Sequence, residues 1–317
     1  MPSTKQPFST QICPYGEAAI VQAAGLIAQG HCVAVPTETV YGLAADATNG
    51  AAVAGIYAAK GRPSFNPLII HVLDLATAET IAVFDDTARE IAKQFWPGPL
   101  TMVLPRQPDC AIASLATAGL ETIAIRIPAH PAIQALLKAC GKPLAAPSAN
   151  ASGMISPTRA DHVLKSLDGR IPMIIDAGLT AHGLESTIIA VEPHGLRLLR
   201  PGPIDTAALA LTSGLPIETI FSGSIEAPGQ LASHYAPSKP LRLEVTTALP
   251  DEWLIGFGPV IGNATLSLTG DLVEAAAALF DALHTADASP CTRIALAPIP
   301  DIGLGIAIND RLRRAAV

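Results

Sequence analysis

The sequence predicts an α/β protein: a mixed β-sheet flanked by helices, followed by a smaller second α/β domain. Three observations predict it. Stretches with helical spacing alternate with short apolar runs of strand length along most of the chain. A hairpin signal, Pro193-His194-Gly195 between apolar runs at 187–191 and 196–199, adds an antiparallel element. Residues 201–240 are dense in Pro, Gly and Ser, which separates the longer N-terminal part of the chain from the shorter C-terminal part.

Taken in order, a loose start leads into residues 17–29, where Ile20, Ala24 and Ile27 recur at helical spacing and Gly30 supplies the stop. Residues 32–35 make a short apolar strand ended by Pro36. A helix over 51–60 stops at Gly61, and 68–72 is the next strand. Residues 86–95 start on an acidic turn that suits a helix N-terminus, and Trp96-Pro97-Gly98 closes that helix. Strands are expected at 101–104 and 122–127, a helix at 131–140, a strand at 144–146, a helix at 159–167 and a strand at 173–176. After the hairpin comes a last helix near 204–211. Strands at 254–257, 265–268 and 293–296, with helices at 272–284 and 306–315, make the second domain. The expected organisation is a large domain over 13–212, a linker or lid over 213–240 and a small domain over 241–317.

Composition narrows the function classes. Half of the 317 residues are hydrophobic while aromatics are only 4%, the excess being largely alanine, as in small-residue helix packing and unlike a disordered chain. A net charge of −7 gives no general nucleic-acid surface, so a cluster of cations must serve a small local anion. The five cysteines are odd in number and contain no Cys-x-x-Cys pair, which argues against a disulfide framework or zinc ribbon and fits a reducing compartment. The first ten residues lack an apolar signal core and no apolar run approaches the ~20 residues of a membrane span, so a soluble cytoplasmic protein is expected.

The chemistry is concentrated in a few segments. Residues 36–71 gather hydroxyls, two cations, an amide and an imidazole around short strand and helix signals. Lys60 and Arg62 flank Gly61 just past a helix end; they either grip phosphate oxygens or complement the helix dipole. Ser148, Asn150 and Ser156 follow a strand, where open α/β sheets usually bind ligands, although turn and cap chemistry would use the same residues. Arg126 sits inside an apolar strand and needs an anion there, from the protein or from a ligand carboxylate. Ser186 opens one strand and Arg200 closes the next. His234-Tyr235 stands in the turn-rich stretch, either as a lid or as a packed anchor. Phosphate-loop, dinucleotide, zinc-protease and nucleophile-elbow motifs are all missing.

These residues resemble the YrdC-type threonylcarbamoyl-AMP synthases, in the long form with an additional C-terminal domain. The likeness rests on Pro36-Thr-Glu-Thr-Val-Tyr-Gly, Lys60-Gly-Arg-Pro, Asn66-Pro-Leu with His71, Pro147-Ser-Ala-Asn, Glu185-Ser-Thr, Leu199-Arg-Pro-Gly and His234-Tyr-Ala-Pro. Gly270-Asp-Leu, Gly303-Leu-Gly and Asp310-Arg-Leu extend it to the end. The resemblance implies a twisted open mixed sheet of the YrdC kind and a Rossmann-like second domain. It further implies a nucleotidyltransferase that joins L-threonine, bicarbonate and ATP, with Mg²⁺, and releases pyrophosphate. The product would pass to a tRNA-modifying transferase complex, with no stable nucleic-acid binding by this chain.

Carried over residue by residue, the threonine site would be Thr39, His71, Arg126, Ala146 and Ser186. The ATP site would be Arg62, Asn66, Thr122, Ser148, Asn150, Ser156, Arg200, His234 and Tyr235, with Lys60 and Arg62 acting on the phosphates. No residue is assigned to a metal. The family often has basic residues before His-Tyr-Ala-Pro where this chain has Gln230-Leu-Ala-Ser, which weakens the case for phosphate contacts from that stretch. An RNA-binding module of the same fold and a carbamoyl-transfer domain are the competing readings.

Overall fold

The computed structural model describes residues 8–219, 226–228 and 234–316. The chain opens with β1 (Gln11–Pro14), α1 (Glu17–Ala28), β2 (Val33–Pro36), β3 (Tyr41–Asp46) and α2 (Gly50–Lys60). Next come β4 (Ile69–His71), α3 (Leu75–Glu79), α4 (Asp86–Phe95), β5 (Leu100–Pro105), β6 (Thr122–Arg126), α5 (Pro131–Cys140) and β7 (Leu144–Ala145). Then follow α6 (Ala160–Leu167), β8 (Met173–Asp176), β9 (Thr187–Glu192), β10 (Gly195–Arg200), α7 (Thr206–Ser213) and β11 (Ile217–Thr219). The second domain holds β12 (Leu241–Arg242), β13 (Glu252–Gly256), β14 (Ala264–Thr265), α8 (Leu272–Ala288), β15 (Arg293–Leu296) and α9 (Leu304–Ala315).

Eleven strands form one mixed sheet in the order β1-β8-β2-β3-β7-β4-β6-β5-β9-β10-β11. Its central pairs decide where the site lies. β4 and β6 are parallel, with His71 opposite Arg126 at their carboxyl ends, and β7 runs antiparallel to both β3 and β4. β9 and β10 form the expected antiparallel hairpin, and β5 joins it in parallel to β9. The second domain is a four-stranded parallel sheet, β12-β15-β13-β14, packed by α8 and α9.

Several elements were not legible in the pattern. β3 is buried at all six positions, so it has no apolar/polar alternation to announce it, and its Gly42 and three alanine or aspartate positions do not read as strand formers. β1, α3, β11 and β12 are short edge or surface pieces, β11 falling inside the stretch read as linker. α8 runs four residues beyond the expected 284, and α9 begins two residues before 306. The strand expected over 265–268 shrinks to Ala264–Thr265, pairing with β13.

Element ends are set by local chemistry that positions the site. The Asn49 side chain accepts from Ala51 N and Ala52 N to start α2, and Gly61, at φ 61°, ends it in the left-handed conformation. That turn leaves Lys60 buried at the end of the helix and directs Arg62 inward. The two domains share a core: Val40, Ile155, Leu184 and Tyr235 belong to the same apolar cluster as Leu279, Phe280 and Leu283 of α8. Gly183, at φ 65°, lies where a Cβ would meet the Ala277 and Ala276 carbonyl oxygens at 2.4 and 2.5 Å. Only a glycine allows α8 to approach that closely.

Candidate active site

A cleft opens at the carboxyl ends of β4 and β6, between the β2–β3 loop and the β9–β10 hairpin. Thr39, Arg62, His71, Arg126, Ala146, Ser148, Ser186, Arg200, His234 and Tyr235 all line it. Sequence segments nearly 200 residues apart therefore converge on one cavity. Its free volume is about 40 Å³, well under the roughly 300–1,000 Å³ of ordinary small-molecule sites, and Tyr235 and His234 are among the residues that line it.

The β2–β3 loop is shaped by Thr37. Its hydroxyl donates to Val40 O at 2.7 Å and accepts from Thr39 N and Val40 N, a local turn bond that fixes Thr39 facing the cleft. Arg126 then ties the loop to the sheet. Its Nη2 meets Glu38 Oε1 at 2.5 Å, Nη1 donates to Thr39 Oγ1 at 3.0 Å and Nε to Gly98 O at 3.1 Å. Burial alone would raise the Glu38 carboxyl, but Arg126 outweighs it and holds the group below the usual carboxylate range. A guanidinium has five N–H donors, so two remain after these three bonds. Both readings of Arg126 therefore coexist: an internal ion pair, with donors still available on the cleft side.

Beside it, His71 is buried and its Nδ1 has no partner among the described residues. Burial, reinforced by Arg126, pushes its pKa down to about 3, so the ring is neutral at ordinary pH. Across the cleft, Ser186 Oγ lies 2.7 Å from Thr101 Oγ1 and accepts from Arg200 Nη2 at 3.0 Å, while Arg200 Nε donates to Ser186 O. Gly202 stands behind this turn, where a Cβ would meet Thr187 N at 2.4 Å.

The nucleotide candidates divide. Arg62 lines the cleft while donating to Asn66 O and Pro67 O, and burial lowers its pKa to about 10. Lys60 is used differently from the phosphate grip suggested by its neighbours. Its Nζ donates at 2.5 Å to both Ser148 O and Asn150 O, with Asn150 Oδ1 at 3.5 Å, so the buried ammonium shapes the loop that presents Ser148. Asn150 turns away to Ala151 O and Met154 O, and Asn66 is buried with Oδ1 unpartnered among the described residues. Thr122 begins β6, four residues and roughly 13 Å of strand from Arg126, so it stands away from this cavity. Ser156 donates to Glu185 Oε1 in a short bond and reaches the cleft only through that carboxylate. Gln230–Ser233 lie outside the described residues.

Glu38, Thr37, Glu185 and Arg311 were missed as site residues. The signal was present, since all four sit inside the quoted motifs, Arg311 in Asp310-Arg-Leu, but that motif was read only as marking the second domain.

As a class, this is a two-domain α/β chain with a cleft of arginines, hydroxyls and two neutral imidazoles at parallel strand ends. The Sua5-YciO-YrdC family profile, described as "Telomere recombination", matches residues 25–202, and the profile "Threonylcarbamoyl-AMP synthase, C-terminal domain" matches residues 215–317. The chain is 42% identical to threonylcarbamoyl-AMP synthase of Bacillus subtilis, over 94% of this chain and 92% of that one. It is 38% identical to the Pyrococcus abyssi protein of the same name, over 93% of each. The crystal structure of P. abyssi Sua5 complexed with L-threonine superposes with a TM-score of 0.88, at 36% identity over 97% of both chains. The chain belongs to the Sua5-YciO-YrdC family, in its two-domain threonylcarbamoyl-AMP synthase form. Among the described residues no helix is long and apolar enough to cross a membrane.

Proposed function

We propose that this cleft joins L-threonine, bicarbonate and ATP into threonylcarbamoyl-AMP and pyrophosphate. The observation that carries the reading is the pairing of His71 with Arg126 at adjacent strand ends, facing Ser186 and Arg200 across one cavity. The two spare N–H groups of Arg126 suit the threonine carboxylate. Neutral His71 and Thr39 suit its hydroxyl or amine without adding charge. Bicarbonate gives up hydroxide as its carbon is taken up by the threonine amine as carbon dioxide, the proton the amine releases turns that hydroxide into water, and the resulting carbamate oxygen attacks the α-phosphorus of ATP. The bond from that phosphorus to the bridging oxygen breaks, and pyrophosphate leaves with the electron pair.

The nucleophile belongs to the substrate, so the protein's work is positioning and charge compensation. Arg62 and Arg200 face the nucleotide half of the cleft, while Lys60 holds the Ser148 loop in register beneath it. Among the described residues no three His, Cys, Asp or Glu side chains form a metal cage, and Glu38 and Glu185 are committed to arginines. Mg²⁺ in this reading arrives on the phosphates of ATP, as part of the substrate. A cavity of about 40 Å³ is too small for ATP, so in this reading binding requires lining side chains, Tyr235 among them, to shift. The product is handed, in the cytoplasm, to a tRNA-modifying transferase, the acidic chain itself holding no nucleic acid.

The test is pyrophosphate release from ATP with threonine and bicarbonate each omitted in turn. Release is expected only when all three are present; turnover that ignores either one refutes the reading.

A further inference from the structure

The second domain reaches the residues around the cleft at several points: Phe280 stacks on Tyr235, His284 Nε2 lies 3.2 Å from Ser156 O, and a buried arginine, Arg311, meets Glu185. Arg311 lies on α9, and its side chain has no solvent exposure. Its neighbours at helical spacing, Ala307, Ile308 and Ala315, are apolar and buried, so the position would suit a leucine or methionine. Placing a guanidinium there is costly. An apolar replacement of a buried ion pair is commonly neutral or stabilising, so core stability is a poor reason for this residue.

What Arg311 touches gives a better one. Nε donates to Glu185 Oε2 at 2.9 Å, the other oxygen of that carboxylate accepting from Ser156. Nη1 donates to Asp310 Oδ2 at 2.7 Å, and Nη2 is buried without a partner among the described residues. The guanidinium carbon sits 5.3 Å from the centre of the Tyr235 ring, which also stacks on Phe280 of α8 at 5.6 Å. Tyr235 itself is a non-glycine residue at φ 67°, a conformation that persists only when the surroundings impose it. Glu185 and Tyr235 both line the cleft.

We propose that Arg311 is a positioning residue by which the second domain sets the nucleotide half of the active site, holding the Glu185–Ser156 pair on one side and Tyr235 on the other. This rests on the synthase reading and deepens it: the domain's contribution is to ATP, while the threonine half is built on Arg126, His71 and Thr39, none of which is hydrogen-bonded to Arg311 among the described residues. Arg311 acts through Glu185 and Tyr235 and does not touch the reacting atoms. Loss of Arg311 leaves Glu185 free to turn toward Arg200, whose charge it already feels, and so to compete with phosphate for that arginine.

The experiment compares the full-length wild type with Arg311→Met, Arg311→Lys and the double variant Glu185→Gln/Arg311→Met. Calorimetry reads the Kd for ATP alone and for L-threonine alone, and pyrophosphate release reads KM for ATP. Arg311→Met should weaken ATP binding at least tenfold and leave the threonine Kd within twofold. Arg311→Lys, which keeps the charge but loses the fork, should recover part of the ATP loss. The double variant removes both buried charges and keeps the test alive should the single one fail to fold. It should show a smaller but still selective loss of ATP affinity, because Tyr235 has lost the guanidinium beside it while the carboxylate that competed for Arg200 is gone. A parallel fall in both affinities, no change in either, or a lysine variant no better than methionine would overturn the proposal. ATP affinity is read without turnover, so failure of the synthase reading in wild type is distinguishable from failure of this one.

Discussion

The Glu38–Arg126 pair permits a sharp separation of stability from binding. Arg126→Ala removes the partner of a carboxylate that is 7% exposed and whose Oε2 is already unpartnered among the described residues. Breaking a buried pair on one side costs about 3–5 kcal/mol, because the remaining charge stays buried. The variant should lose that much in denaturant titration at neutral pH. The sign of its pH dependence follows from Glu38. In the wild type the folded pKa is depressed, so its contribution is present above the unfolded carboxylate value near 4.3 and is lost as pH falls below it. Without Arg126, burial dominates and the folded pKa rises above the unfolded one. The deficit of the variant should therefore grow as pH increases from about 5 to 8. Glu38→Gln/Arg126→Met, which removes both charges, should regain most of the stability and flatten that pH dependence. Threonine binding should not return. Two lost charge-assisted N–H bonds amount to about 3 kcal/mol or more, roughly a hundredfold in Kd by calorimetry. Recovery of threonine affinity in the double variant, or a single variant as stable as wild type, would show that Arg126 is only a structural cation.

Two further outcomes are expected. His71, His162 and His234 all have pKa values near 3, with burial the leading cause, so the unfolded chain binds their protons first; each should cost about 1.4 kcal/mol of stability at pH 5.5 relative to pH 8, and a denaturation midpoint unchanged over that range would contradict their burial as neutral rings. Gly183→Ala places a methyl against the carbonyl oxygens of α8 and should loosen the docking of the second domain, seen as faster amide exchange in α8 and in the segment around Tyr235; unaltered exchange there would mean the contact is easily relaxed.

The large elements were legible because their signals are local. The helix that ends in Lys60 carries a glycine stop, α5 opens on Pro131, and the β9–β10 hairpin is marked by its turn residues. β3 was not, since a strand buried on both faces and built from small residues has neither period nor propensity to betray it. The cleft shows the same limit. Arg126 announced itself as a charge in an apolar strand, and whether its anion came from protein or ligand was undecidable until the β2–β3 loop brought Glu38 beside it. Lys60 shared its motif with Arg62, yet its protons go to carbonyls ninety residues away, a fact only the tertiary fold decides. Arg311 stood in the quoted Asp310-Arg-Leu, but its tie to the cleft was not legible, because what separates it from Arg313 and Arg314 is which way the helix faces.

The order of the cleft segments along the chain has a consequence for synthesis on the ribosome. The residues of the threonine half, from Thr39 to Ser186, and the strand ending in Arg200 are all translated before the second domain exists. Arg311 follows Arg200 by 111 residues, which is roughly 6–20 s at 5–20 residues per second. On the proposed reading, that interval separates synthesis of the amino-acid side of the cleft from synthesis of the helices that complete its shared core. If threonine binds there as proposed, it would favour the folded form of that side once it has assembled.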